Sequence, residues 1–249
     1  MASRLFELGA KTIKQFLLQS FFPHACLGCG RGLEIICIDC KLKIVENPQM
    51  ISVCPGCNET IELLGRCKKV RCHSDLDGIT SMASYSNPLL RNLLHEFKYN
   101  HLEEAGRVLQ DIFAHWLEVR RGALLAAFAE AIVIPTPMHW YRQNLRGFNQ
   151  SEMLAQVLAK QFNLEYNNSI LKRQFKFKRQ AEINDKQIRV NHVAGSVMVN
   201  PRPRNLINPG ASALLVDDVT TTGATLATSA QTLKSIGFKQ VYALTLLKG

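Results

Sequence analysis

Apolar positions along the chain follow two alternating patterns. Short continuous apolar runs at 131–134 and 213–216 predict buried strands, and 79–85, 197–199 and 240–247 read as further strands. Between them, apolar residues recur at helical spacing. Leu89, Leu90, Leu93, Leu94 and Phe97 mark a helix over 88–99, and the same period runs through 103–119. Helices are also expected at 149–162, capped by Asn149 or Ser151, and at 224–236, closed by Gly237. Strands alternating with helices of this length predict an α/β fold whose parallel sheet is covered on both faces. Ligands of such sheets bind beyond the carboxyl ends of the strands. The loops after Ile134 and Val216 are therefore where chemistry is expected.

The first 22 residues are apolar only on a stripe (Leu5, Leu8, Ile13, Phe16, Leu17) broken by Glu7, Lys11, Lys14 and Gln15. This predicts an amphipathic helix that docks on its own protein or on a partner. It lacks the unbroken apolar core of a secretory signal, and no stretch approaches a bilayer span of roughly 18–20 apolar residues, so a cytoplasmic location is expected.

Composition divides the chain. It has 249 residues, 47% hydrophobic and 20% charged, which excludes disordered and collagen-like classes. The net charge of +10 is unevenly spread: residues 1–78 carry 10 basic and 8 acidic side chains, and 79–249 carry 20 and 12. All 8 cysteines lie between Cys26 and Cys72. Three parts follow: a helix at 1–24, a Cys-rich module at 25–78 and a basic domain at 79–249.

The cysteines form three two-residue-spaced pairs, Cys26/Cys29, Cys37/Cys40 and Cys54/Cys57, followed by Cys67 and Cys72. Thiolates two residues apart on a glycine-containing turn can face one ion, and four of them complete tetrahedral zinc with no open position for catalysis. A reduced compartment argues against disulfides. Structural zinc, one ion or two, is expected to supply much of the module's folding free energy. The sequence leaves open whether 26/29/37/40 and 54/57/67/72 form separate sites or the ligands interleave. His24 and His73 flank the set.

The stretch from Leu214 to Leu226 carries the most specific chemistry. An apolar strand delivers Asp217 and Asp218, then Thr220, Thr221, Thr222 and Gly223 lead into a helix beginning with Ala224 and Thr225. Backbone amides, threonine hydroxyls and the positive helix end can cradle a phosphate. Gly223 permits close approach, and the two carboxylates can hold vicinal sugar hydroxyls or a divalent ion.

This stretch resembles the phosphoribosyl pyrophosphate (PRPP) motif of type I phosphoribosyltransferases. Together with the preceding Cys-rich module, Phe97-Lys98-Tyr99, Ile134-Pro-Thr-Pro137 and Arg142-x3-Arg146-Gly-Phe-Asn-Gln150, it is similar to the ComF family of competence-associated proteins, GntX-type members included. Gln180 and Arg189 also fit that pattern. Arg189-Val-Asn191-His192 departs from the family's Arg-x-x-Asn pair, and Val197 stands where a Phe is usual.

The resemblance implies a type I phosphoribosyltransferase-like sheet and a protein handling incoming single-stranded DNA in natural transformation. Its PRPP and Mg²⁺ would face Lys98, Arg142 and Arg146 as cations for the pyrophosphate. DNA-uptake helicases and competence proteins are the implied partners. A transferase acting on an unidentified acceptor is the alternative, although no acceptor-recognition segment stands out.

A second anionic partner is suggested by Lys172, Arg173, Lys176, Lys178 and Arg179, interleaved with Phe175 and Phe177. Cations tracking a backbone between aromatics suit single-stranded nucleic acid. The same stretch can instead close over pyrophosphate. Lys186, Arg189, Arg202 and Arg204 extend the basic character.

Overall fold

The computed structural model describes residues 25–173, 197–200 and 210–249, apart from 33, 47–49, 64, 70, 71, 73, 101, 129 and 139. The expected helix at 1–24, His24, His73, the basic positions Lys176, Lys178, Arg179, Lys186, Arg202 and Arg204, and Gln180, Arg189, Asn191 and His192 lie outside the described residues.

A five-stranded sheet organises the fold. Its strands are β1 (Ile51–Val53), β2 (Gly78–Ser84), β3 (Ala131–Pro135), β6 (Ser212–Thr220) and β7 (Gln240–Lys248), in the order β1-β2-β7-β6-β3. The four strands from β2 to β3 are parallel, and β1 pairs antiparallel on the β2 edge. β1 went unread in the sequence because three residues wedged between cysteine pairs show no period. Two short strands, β4 (Leu171–Arg173) and β5 (Val197–Val199), pair separately.

The helices are α1 (Ile38–Glu46), α2 (Pro88–Tyr99), α3 (Glu103–Val119), α4 (Arg121–Phe128), α5 (Trp140–Arg146), α6 (Gln150–Phe162) and α7 (Ala224–Lys234). Asn87 caps α2, its side chain accepting from the amides of Leu89 and Leu90, and Pro88 stands at the first helical position, where its missing N–H costs nothing.

The continuous apolar strands are buried on both faces. Leu214 and Val216 of β6 join α2, α3 and α6 in one core cluster, while Ala213 and Leu215 face α7 in the other. The first cluster also contains Cys26, Ile35, Ile36, Cys40, Ile44 and Val45, so the first cysteine loop and α1 share the main core. The second cysteine loop is tied in by charge. Arg66 Nε donates to Asp77 Oδ1 at 2.7 Å, and the other Asp77 oxygen accepts from Val241 N at 2.8 Å and pairs with Lys234 at 3.2 Å.

β6 differs from expectation in a way that shapes the site. It continues from Val216 to Thr220, because β7 pairs with it as far as Thr220↔Lys248, whereas β3 stops at Pro135↔Val216. Asp217 and Asp218 therefore lie on strand backbone where one neighbour has ended. No described helix is long and apolar enough to cross a membrane.

Candidate functional site

Where β3 ends, a cleft of about 240 Å³ opens, lined among others by Lys98, Thr136, Arg146, Ser151, Asp217 and Asp218. Each side chain is delivered by a distinct element. Lys98 lies in the last turn of α2 and is ion-paired with Asp218; the two side chains are only 15% and 12% exposed. Phe97, beside it, is buried and stacks on Phe148 with ring centroids 4.4 Å apart.

The Arg-Gly-Phe-Asn-Gln segment now has a physical reading, residue by residue. Arg146 lines the cleft, with its guanidinium 5.3 Å from the centre of the Tyr99 ring and 3.5 Å from Gln150 Oε1. Gly147, at φ +79°, makes the left-handed turn that a side chain would resist. Phe148 packs on Phe97, and Asn149 caps α6 by accepting from Ser151 N at 3.1 Å. Asn149 Nδ2 also donates to Thr136 O at 3.2 Å, tying the loop after β3 to α6.

A hydrogen-bond chain runs from that loop to the acids. Thr136 Oγ1 donates to Ser151 Oγ at 3.0 Å, and Ser151 Oγ donates to Asp217 Oδ1 at 2.8 Å. Asp217 Oδ1 also accepts from Asp218 N at 2.9 Å. Protein surrounds Asp217 on most sides while its carboxylate opens to the cleft. Burial, then the neighbouring Asp218 charge, raises it from 3.8 to about 6, against the opposing bonds from Ser151 and Thr136. The cleft thus holds two adjacent acids beside Lys98, Arg146 and Arg173.

The remaining predicted residues are placed as follows. Thr225 lines the cleft, Thr220 is buried, and Thr221 and Thr222 are exposed. Gly223, at φ +75°, is the cap of α7, whose first turn has no side-chain hydrogen bond to the cap, and Ala224 opens that helix. Arg142 is on α5, and its side chain lies outside those described. Lys172 is exposed on β4, whereas Arg173 on the same strand reaches the cleft. Sequence reasoning placed chemistry in the loop after Ile134 without singling out Thr136, and took Ser151 only as a cap. The Pro-Thr-Pro loop and the Asn149-x-Ser151 spacing were the available signals.

The cysteines form two separate groups, Cys26/Cys29/Cys37/Cys40 and Cys54/Cys57/Cys67/Cys72, with sulfurs within 4.8 Å of one another in each. This selects the sequential arrangement over the interleaved one. Sγ–Sγ distances are 3.7 Å for Cys29–Cys37, 3.2 Å for Cys54–Cys72 and 3.6 Å for Cys57–Cys67. Tetrahedral thiolates about 2.3 Å from zinc stand about 3.8 Å apart, so both groups can hold a metal ion such as zinc. Burial opposes ionisation of Cys26, but amides of Cys37, Cys29 and Gly28 outweigh it and bring the thiol down to about 6. Burial and then neighbouring thiols push Cys40 up to about 12; the hydrogen bond with Cys54 is the leading cause of the same rise at Cys72. A bound cation would draw off those retained protons.

These two features, a cleft at the end of a parallel sheet lined by both acids and basic residues and a pair of four-thiol groups, define an α/β protein with a polar cleft and a metal-ready module. The chain is similar to Competence protein F of Haemophilus influenzae, 27% identical over 233 residues, covering 90% of this chain and 96% of that one. It is also similar to DNA utilization protein YhgH of Salmonella typhi, 26% identical over 227 residues, covering 85% and 91%. Among solved structures, an adenine phosphoribosyltransferase aligns with a TM-score of 0.36 at 12% identity, covering 60% of this chain and 73% of that one. No family model matches the chain. The motif resemblance to competence proteins and these full-length similarities point to the same relatives.

Proposed function

We propose that this protein binds single-stranded DNA during its uptake and use, and that its cleft takes PRPP or a related sugar phosphate together with Mg²⁺. The first half rests on one observation, the similarity to Competence protein F through nearly the whole of both chains. The second half rests on the chemistry of the cleft. Asp217 and Asp218 supply hard oxygens suited to Mg²⁺, whose octahedron phosphate oxygens and water would complete. Thr220, Thr221, Thr222, Gly223, Ala224 and Thr225 form the phosphate turn. Lys98, Arg142, Arg146 and Arg173 meet the pyrophosphate, Arg through its bidentate fork and Lys as a point charge. Lys172 and Arg173, with Lys176, Lys178 and Arg179 beyond the described residues, carry the DNA backbone. The two cysteine groups hold structural zinc, and the protein works in the cytoplasm with DNA-uptake helicases or competence proteins.

The DNA reading is tested by titrating a labelled oligonucleotide at low and high salt. Binding that falls steeply with salt supports it. No binding at low salt, together with normal DNA uptake in a deletion strain, would overturn it. The sugar-phosphate reading is tested by calorimetry with PRPP and Mg²⁺, where saturable heat is expected and its absence removes the ligand.

A second reading, transfer of the phosphoribosyl group, is favoured by the paired acids at the cleft floor. In that reaction the bond from the sugar C1 to pyrophosphate breaks as a bond from the acceptor forms, and the cations stabilise the leaving charge. Pyrophosphate release across an acceptor panel, abolished in the Asp217→Ala/Asp218→Ala protein, is the expected result. Release that survives the double substitution would refute it.

A further inference from the structure

Beside the cleft lies a second hollow of about 290 Å³, lined among others by Tyr85, Arg91, His95, Lys98, Tyr99 and Thr221. Lys98, Tyr99 and Val219 line both spaces, so the hollow and the cleft share a wall. We propose that this hollow is a stacking site for one base of a single-stranded nucleic acid, whose backbone passes along Arg91. The inference rests on the single-strand reading above and adds a base site separate from Phe175 and Phe177 of the basic stretch.

Three observations carry it. The first is aromatic exposure. Tyr85 and Tyr99 are 41% and 59% exposed, large apolar rings left in solvent at the mouth of one pocket. A flat partner regains what these rings lose to water, and every base offers a flat face. The second is rigidity. The Tyr99 ring packs on His95, centroids 4.8 Å apart and tilted by 42°, and meets the Arg146 guanidinium 5.3 Å from its centre. A braced ring loses little freedom when a ligand arrives, so more of the contact appears as affinity. The third is charge. Arg91 is exposed on the same face of α2 as His95 and Lys98, Lys98 is already paired with Asp218, and no acidic residue among those described lines the hollow. Exposed rings beside Arg91, with no acid in the described lining, suit an anionic ligand carrying a flat ring. The volume is at the lower end of small-ligand sites, enough for one nucleotide unit rather than a folded partner.

The test compares full-length wild-type protein on labelled (dT)₁₂ and on an abasic phosphodiester of equal length. The wild type should bind (dT)₁₂ about tenfold more tightly than the abasic strand, within the range of one stacked base. Tyr85→Leu should cut that preference several-fold without changing affinity for the abasic strand, and Tyr85→Phe should restore it. Arg91→Gln should weaken both strands alike and lower the salt slope by about one. Thermal melts matching wild type, and unchanged PRPP calorimetry for Tyr85→Leu, show that the fold and the neighbouring cleft are intact. Failure of wild type to bind either strand would bring down the DNA reading itself. Equal binding of both strands by wild type, or a preference undiminished in Tyr85→Leu, would overturn the stacking site alone.

Discussion

Ser151 donates its hydroxyl to Asp217 across 2.8 Å, linking the first turn of α6 to the strand that carries both acids. That bond opposes the rise imposed by burial and by Asp218, yet Asp217 still stands at about 6. In the folded protein Asp217 holds its proton more tightly than in the unfolded chain. Its ionisation therefore costs stability as pH rises from about 4 through 6, and the cost persists above that.

Asp217→Asn should accordingly raise the melting temperature above pH 7 and remove the pH-dependent step between about pH 4 and 6. The gap from 3.8 to about 6 corresponds to at most roughly 3 kcal/mol, less what the cleft's water screens. Calorimetric melts without divalent ions or phosphate provide the measurement. A variant that keeps the wild-type pH profile would show that Asp217 is not the titrating group.

The Lys98–Asp218 pair is mostly buried, so removing one partner strands a charge. Lys98→Ala should cost roughly 3 kcal/mol in urea unfolding, and Lys98→Ala/Asp218→Ala should cost less than the sum of the single changes. An additive double variant would mean that the two groups are not coupled. PRPP binding should be lost in Lys98→Ala at a pH where the protein remains folded.

Lys98 in turn depends on a helix contact. A Cβ on Gly106 of α3 would stand 2.5 Å from Phe97 Cε2, nearer than carbon atoms approach. Gly106→Val should displace Phe97 from Phe148 and shift the end of α2, costing roughly 1–3 kcal/mol and weakening sugar-phosphate binding. Gly122→Ala, where an added Cβ meets nothing within 4 Å, is the control. Equal behaviour of the two variants would remove the α2–α3 contact from the account of the site.

Much of this was legible in the sequence because the carrying signals are local. Helical spacing placed α2 and α3, and the order of Asp217, Asp218, Thr222 and Gly223 announced a strand, turn and helix. What was not legible depends on distant segments. The extension of β6 to Thr220 is set by pairing with β7, and the Thr136–Ser151–Asp217 chain joins residues far apart along the backbone. Cysteine grouping was equally hidden, since the same spacings serve sequential and interleaved sites until the loops are placed. The sequence left open whether Arg173 meets a nucleic acid or pyrophosphate; on β4, paired with β5, it lines the cleft.

The two cysteine groups should differ in what their loss does. Cys26 and Cys40 of the first group belong to the main core cluster, whereas none of Cys54, Cys57, Cys67 and Cys72 belongs to either cluster. Purified protein should release two zinc ions per chain on chelation, and Cys40→Ser or Cys57→Ser should each reduce that to one. Cys40→Ser should lower the melting temperature of the whole protein, because metal that binds only the folded state supports every element packed against it. Cys57→Ser should leave the sheet's transition nearly unchanged and increase proteolysis within 54–72. Gly28→Ala adds an independent reading: its Cβ would stand 2.7 Å from Cys40 Sγ, so it should weaken the first site while keeping all four thiols. Identical melting losses from Cys40→Ser and Cys57→Ser would contradict this division, and a single ion per wild-type chain would exclude one of the sites.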